Sequence, residues 1–134
     1  MKKLIAIALT SLLLNTAVIH AHDSKDHSNQ LKLDNLMRAT LAGAKNTEVI
    51  LSHVLIPPNT KLPKHWHPGE EFVYVMDGSV TLWQKGKKEL FAKKGDTVKV
   101  PLKQVHTAIT SKEGVELVVF RVHEKGQPER IKVE

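Results

Sequence analysis

Two histidines one residue apart, His65 and His67, followed at an even spacing by Glu71 and much later by His106, constrain this chain more than any other feature. In an extended strand the side chains at i and i+2 leave from the same face, so both imidazoles can aim at one point inside a sheet. Pro68 and Gly69 suit a turn, and the even step from His67 to Glu71 returns the carboxylate to the side the imidazoles occupy. Glu70 is the competing carboxylate, but a shift of one residue sends a strand side chain to the opposite face, which favours Glu71. His106 has to arrive from a distant strand, beyond the stretch between Gly95 and Pro101. Three imidazoles and one carboxylate, in a chain with no cysteine, suit a single borderline divalent cation held through nitrogen and oxygen. His53 and His123 lie outside this pattern and are read as a half-buried strand residue and an exposed residue near the C-terminus.

The rest of the sequence supplies the sheets such a site needs. From Leu31 onward, short stretches of alternating apolar residues are separated by turn residues, and only Leu33 to Leu41 offers anything like helical spacing. Strands are expected over 32–41, 48–56, 64–67, 71–77, 79–84, 88–92, 97–100, 107–111 and 115–122. Gly43, Pro57 and Pro58, Asp77 and Gly78, Gly86, Gly95 and Asp96, and Gly114 punctuate them. This is the pattern of an all-β sandwich or barrel closed around one core. Parity places Glu71, Val73 and Val75 on the inner face, giving a small, dry interior. Phe72, Tyr74 and Met76 fall on the outer face, where they need cover from the N-terminal strands or from a partner subunit; a two-fold homodimer is the preferred expectation. Trp66 and Trp83 are expected either to pack at the barrel wall or to flank a flat substrate.

The two ends of the chain read differently from its middle. Lys2 and Lys3, an apolar run from Leu4 to Leu14 and small residues ending at Ala21 have the layout of a secretory signal peptide over residues 1–21. The apolar run is short of the roughly 20 residues that span a bilayer, so no membrane attachment is expected after cleavage, and the location expected is periplasmic or secreted. Residues 22–30, HDSKDHSNQ, are polar and aperiodic, a flexible leader to a single domain over 31–134. The formal net charge is +6, from 20 basic and 14 acidic residues, and falls when Lys2 and Lys3 leave with the leader. The lysines at 85, 87, 88, 93 and 94 gather beside Gly86 and Gly95, as charged hairpin tips do, with no interleaved aromatics, so no nucleic-acid partner is expected. The chain holds no nucleophile elbow, H-E-x-x-H helix, phosphate-cradling glycine loop or dinucleotide fingerprint.

At these residues the chain resembles a cupin, a small jelly-roll β-barrel with one metal near its mouth. The first cupin motif is a glycine, five residues, His-x-His, three or four residues, Glu, six residues and Gly; Asn59, His65, His67, Glu71 and Gly78 stand at those positions. The second is a glycine, five residues, Pro-x-Gly, two residues, His, three residues and Asn, matched by Gly95, Pro101, Lys103, His106 and Thr110. Asn59 and Lys103 replace glycines and Thr110 replaces asparagine. Asn tolerates positive φ, whereas Lys103 is expected to strain a left-handed turn or to force another turn geometry. The run PKHWHPGEEFVYVMDG is similar to small exported cupins described as quercetin-dioxygenase-like.

The resemblance implies a metal site of His65, His67, Glu71 and His106 with one divalent ion per chain: iron, manganese, nickel, copper or zinc. With such a site the expected activity is that of a metal-dependent oxidoreductase, dioxygenase-like, acting on a small oxygenated aromatic or dicarbonyl compound, with Glu71 also serving as a proton acceptor. The alternative is a non-catalytic protein that binds or senses a small molecule through the metal. One fold carries many functions, so the choice belongs to the site.

Overall fold

The computed structural model describes residues 29–134; the leader over 1–21 and all but the last two residues of the polar segment 22–30 lie outside the described residues. Nine strands follow one another with no helix among the described residues: β1 (Lys32–Thr40), β2 (Thr47–Ile56), β3 (His65–Trp66), β4 (Gly69–Gln84), β5 (Leu90–Lys93), β6 (Thr97–Val100), β7 (His106–Ile109), β8 (Val115–Glu124) and β9 (Ile131–Lys132). Neighbouring strands run in the order β1-β2-β8-β4-β7-β3-β9, and β5 and β6 also pair with β4. All pairings are antiparallel, and the sheet folds over on itself as an all-β jelly roll. The turns carry the lysines at 85, 87 and 94, as their clustering beside glycine predicts.

Strand β4 makes the fold. The sequence suggests two strands parted by a turn at Asp77 and Gly78; instead one strand runs through from Gly69 to Gln84. Its first half pairs with β8 and β6, its second with β5 and β7. The register slips between Val75 and Asp77, leaving Met76 as the extra residue of a bulge. Gly78 follows with φ of 73°, and a Cβ there would stand 2.3 Å from the Gly114 carbonyl oxygen, so only glycine fits the bend. The bulge also reverses the parity: Glu71, Val73 and Val75 face inward before it, Val80 and Leu82 after it.

The core is aliphatic and lies between the two halves, with Val54, Ile56, Val75, Val80, Ala92, Val115, Leu117 and Val119 buried together. Outside β4, Phe72, Tyr74 and Met76 remain 38%, 47% and 39% exposed. β1 does not cover them, because it pairs at the β2 edge and extends the same sheet. His123 corrects the sequence reading: it is buried, not exposed, because β8 runs on to Glu124 and turns its side chain toward Glu48.

Candidate metal centre

Each histidine of the predicted set reaches the same point by a separate route. His65 and His67 flank outward-facing Trp66, as alternation along an extended chain requires. His106, the first residue of β7, pairs directly with His65 across the β3–β7 ladder. The three imidazoles are buried, with ring centroids 4.9 Å (His65 to His67), 4.4 Å (His65 to His106) and 5.2 Å (His67 to His106) apart. One nitrogen from each lies within 4.8 Å of the others, a spacing at which they can hold a metal ion together.

The outer nitrogens explain why the inner ones are free. Nδ1 of His65 lies 2.8 Å from the Pro63 carbonyl, Nδ1 of His106 2.8 Å from the Gln104 carbonyl, and Nδ1 of His67 2.5 Å from the Glu129 carbonyl. A carbonyl only accepts, so each Nδ1 carries the hydrogen and, in the neutral ring, each Nε2 has a lone pair directed inward. This is the arrangement that fixes the tautomer of metal-binding imidazoles. Nε2 of His67 is buried without a hydrogen-bond partner although the Glu71 carboxylate is 3.0 Å away. In the neutral ring a lone pair faces the carboxylate, which is not a hydrogen bond, and two donors about 2.1 Å from a shared zinc-like cation stand roughly 3 Å apart at right angles. The donors therefore fit a divalent cation.

Glu71 enters from β4, with its carboxylate 3.0 Å from His67 Nε2, 3.8 Å from His106 Nε2 and 3.8 Å from Arg121 Nε. Burial alone would raise its pKa, but His67, His106 and Arg121 outweigh that and hold the carboxyl at about 2. Glu70 points the other way, to Lys99 at 2.7 Å. Burial lowers His65 to about 4, against the Pro63 carbonyl and Glu71 that favour its charged form. Burial lowers His106 as well. Neutral imidazoles and an ionised carboxylate are the states that bind cations.

The framework residues that depart from the motif are accommodated. Lys103 does take a left-handed φ of 56°, and Asn59 one of 53°. The turn survives because the Lys103 amide donates to the His67 carbonyl at 3.2 Å and the Gln104 amide to the Pro101 carbonyl at 3.1 Å, which bring His106 into place. Thr110 is buried, and its hydroxyl donates to the Pro57 carbonyl at 2.6 Å and accepts from the Thr60 amide at 3.0 Å, so it ties the loop before β3 to the end of β7.

The donors stand at one end of a partly open cavity of about 500 Å³. Its walls are aliphatic, from Val54, Ile56, Leu62, Val80, Leu82 and Leu117 among others, and it is roomier than the small interior expected from the sequence. Trp66 and Trp83 do not line it; the parity reversal in β4 turns Trp83 outward, where Lys64 Nζ sits 4.6 Å from its ring centroid.

A cupin domain family profile matches residues 52–123, more than half of the chain. The chain belongs to the cupin family. No curated protein matches this cupin significantly. Among solved structures it is similar to the DMSP lyase DddQ from Ruegeria pomeroyi, at 17% identity and a TM-score of 0.66, covering 89% of this chain and 59% of that protein. An RmlC-like cupin family protein with a double-stranded β-helix fold from Methanocaldococcus jannaschii aligns at 16% identity and a TM-score of 0.61, covering 81% and 94%. The polyketide cyclase RemF from Streptomyces resistomycificus aligns at 19% identity and a TM-score of 0.54, covering 73% and 81%. At these identities the likeness is one of fold.

Sequence reasoning missed a buried polar cluster behind this cupin's candidate metal site. Arg121 of β8 is 3% exposed; its Nη2 donates to Ser52 Oγ at 2.9 Å and its Nη1 to Glu129 Oε2 at 3.4 Å. Glu129 also accepts from Asn35 Nδ2 at 2.9 Å and from Arg38, which in turn contacts Glu48 at 2.5 Å. Thus one residue of the C-terminal segment orients His67 through its carbonyl and anchors three other side chains through its carboxylate. The Nε of Arg121 is buried with no hydrogen-bond partner, a state that costs about 1–3 kcal/mol unless a further group meets it. The only sequence signal for this cluster is a charged residue at an inward parity position of β8, visible once the strand's pairing is known.

Proposed function

We propose that this cupin is a metal-dependent oxidoreductase acting on a small oxygenated aromatic or dicarbonyl compound. The observation that carries the proposal is the convergence of three inward Nε2 atoms and an ionised Glu71 at the polar end of an aliphatic cavity of about 500 Å³. His65, His67, His106 and Glu71 would hold the ion, and their backbone partners keep the imidazoles in the binding tautomer. A divalent cation supplies Lewis acidity toward a substrate oxygen and, if it is iron, manganese, nickel or copper, a route for electrons. The aliphatic walls exclude water and strengthen the electrostatic interactions within the site. Glu71 accepts a substrate proton only if its carboxylate turns away from His67, His106 and Arg121, since at about 2 its resting pKa suits a ligand better than a base.

That last point favours a second reading, a protein that binds or senses a small molecule without turnover. Lyase or cyclase chemistry, of the kind two structural neighbours carry in their names, is the non-oxidative enzymatic variant. The test is an oxygen electrode with the iron, nickel and manganese forms and a panel of flavonols, catechols and dicarbonyls. The proposal expects oxygen uptake with one of them and its loss in His65→Ala and Glu71→Ala. A flat trace across the panel refutes it, and thermal stabilisation by the same compounds without product supports the second reading. Export to the periplasm or medium, and a two-fold homodimer closed over the exposed row of Phe72, Tyr74 and Met76, belong to the same proposal.

A further inference from the structure

The cavity is layered, and only its top layer is polar. Residues paired across antiparallel strands share a face, so the ladders fix which inward side chains stand level with one another. Glu71 pairs with Arg121 and His106 with His65, which sets the donor level. One inward step along the same strands, roughly 7 Å, brings Val73 opposite Val119 and Ala108 opposite Leu82. The next brings Val75 opposite Leu117, which also pairs with Val54, and Val80 on the facing sheet. Val75 and Val115 are fully buried and close the bottom. At the donor level the exposed Lys132 lines the cavity opposite His65, so the donors stand beside an opening.

Below the donors every lining residue, from Val73 and Val119 down to Val54 and Ile56, is aliphatic. That includes Leu33, which is exposed on the edge strand β1 opposite Val54. No aromatic ring and no hydroxyl or amide side chain lines these layers, and the strand backbone is committed to its ladders. A hydroxyl carried there gives up its bonds to water and meets no partner, whereas a methylene gains by leaving water. The space of about 500 Å³ has room for roughly fifteen water-sized groups, far more than a chelating head alone requires. We infer that the cavity takes a compound whose oxygen atoms all lie at one end, at the donor level, and whose remaining body is bare hydrocarbon reaching toward Val80 and Leu117. This deepens the proposed function and rests on the cation site assigned there: among small oxygenated aromatic and dicarbonyl compounds it selects alkyl-bearing ones and rejects polyhydroxylated ones.

The test is calorimetric binding to the full chain loaded with zinc, which forbids redox turnover. Catechols with a straight alkyl chain, from methyl to octyl, are compared with the same catechols carrying a hydroxyl at the chain end. Affinity is expected to rise about threefold per methylene until the body fills the cavity, with a heat-capacity change that grows more negative along the series. The terminal hydroxyl is expected to weaken binding at least about tenfold, and a flavonol with bare rings should bind more tightly than a polyhydroxylated one. Leu82→Phe fills part of the cavity and should shorten the best-binding chain by about two carbons or more, with zinc affinity changed less than about threefold because Leu82 stands a layer below the donors. Val80→Thr keeps the side-chain volume, so it serves where the larger ring disturbs the fold. Its added hydroxyl should reduce the penalty on the hydroxyl-ended chains about threefold or more. With zinc bound, affinity independent of chain length, equal binding of methyl-ended and hydroxyl-ended chains, or a series unmoved by both variants overturns the inference and leaves the cation site standing. Failure to take up zinc removes the cation site and the inference with it. Length-dependent binding with a flat oxygen trace retains the inference and removes the oxidoreductase reading; oxygen uptake with polyhydroxylated substrates alone does the reverse.

Discussion

The two ends of the cavity are built on opposite principles. At the aliphatic end, Val54, Ile56, Val80 and Leu117 are buried against one another and gain from exclusion of water. At the polar end, His67 Nε2 and Arg121 Nε are buried without partners, and His65 and His106 are desolvated. The first end stabilises the fold as it stands. The second gives up stability that a bound cation can return, which is where a protein keeps its function.

The sharpest way to break this contrast is to remove a donor. His67→Ala is expected to lower divalent-metal affinity by more than the roughly 100-fold upper range seen for loss of an outer partner, with the stability of the metal-free protein nearly unchanged. Metal titration and denaturation of the same variant check both halves, and a metal affinity within tenfold of wild type would contradict the site. At the other end, Ile56→Ala should reverse the pattern, costing about 2–5 kcal/mol of stability in the folded protein and leaving metal affinity within a few fold. A loss under 1 kcal/mol in denaturant unfolding would mean that this end is not a packed core.

Acid sharpens the comparison further, because only the polar end titrates. His65 is lowered from 6.5 to about 4 and Glu71 from 4.5 to about 2, and His106 is lowered too. In each window the unfolded chain binds a proton that the folded chain refuses, so stability rises with pH and is lost as pH falls from 6.5 toward 2. The metal-free protein should lose on the order of 2 kcal/mol between pH 6.5 and 4, measured by urea unfolding across pH. Metal should be retained well below pH 6.5, since His65 stays neutral down to about 4. A flat stability profile would show that the histidines are not desolvated. The smallest effect belongs to Lys103→Gly, which removes a side chain from a left-handed φ of 56° and should raise stability by less than about 1 kcal/mol. A loss of stability in thermal unfolding would show that Lys103 serves more than the turn.

Much of the site was legible because strand geometry converts spacing directly into direction. His65, Trp66 and His67 alternate in, out, in, and Glu71 returns to the inner face while Glu70 pairs outward with Lys99. Strand existence was equally legible, since alternation and turn residues marked every strand but β9, which has only Ile131 and Lys132 to announce it. Arg121 and Glu129 stayed hidden, as did the burial of His123, because a polar residue in a strand reads as solvent-facing until its neighbours are known. The Asp77–Gly78 pair misled for a related reason. Its residue types suit a hairpin, and only the close approach of Gly114 shows that glycine serves a bend within one strand.

By itself, then, the sequence determined the all-β class and that His65, His67 and Glu71 share one face, since each follows from a period of two and from side-chain chemistry. Only the tertiary structure decided how large the cavity is, that a bulge at Met76 turns Trp83 away from it, and that Arg121 joins Ser52 and Glu129 in a buried polar cluster beside it. The physical reason is that direction along a strand is a local property. Hydrogen-bond satisfaction and enclosed volume depend on which distant strands come to face one another.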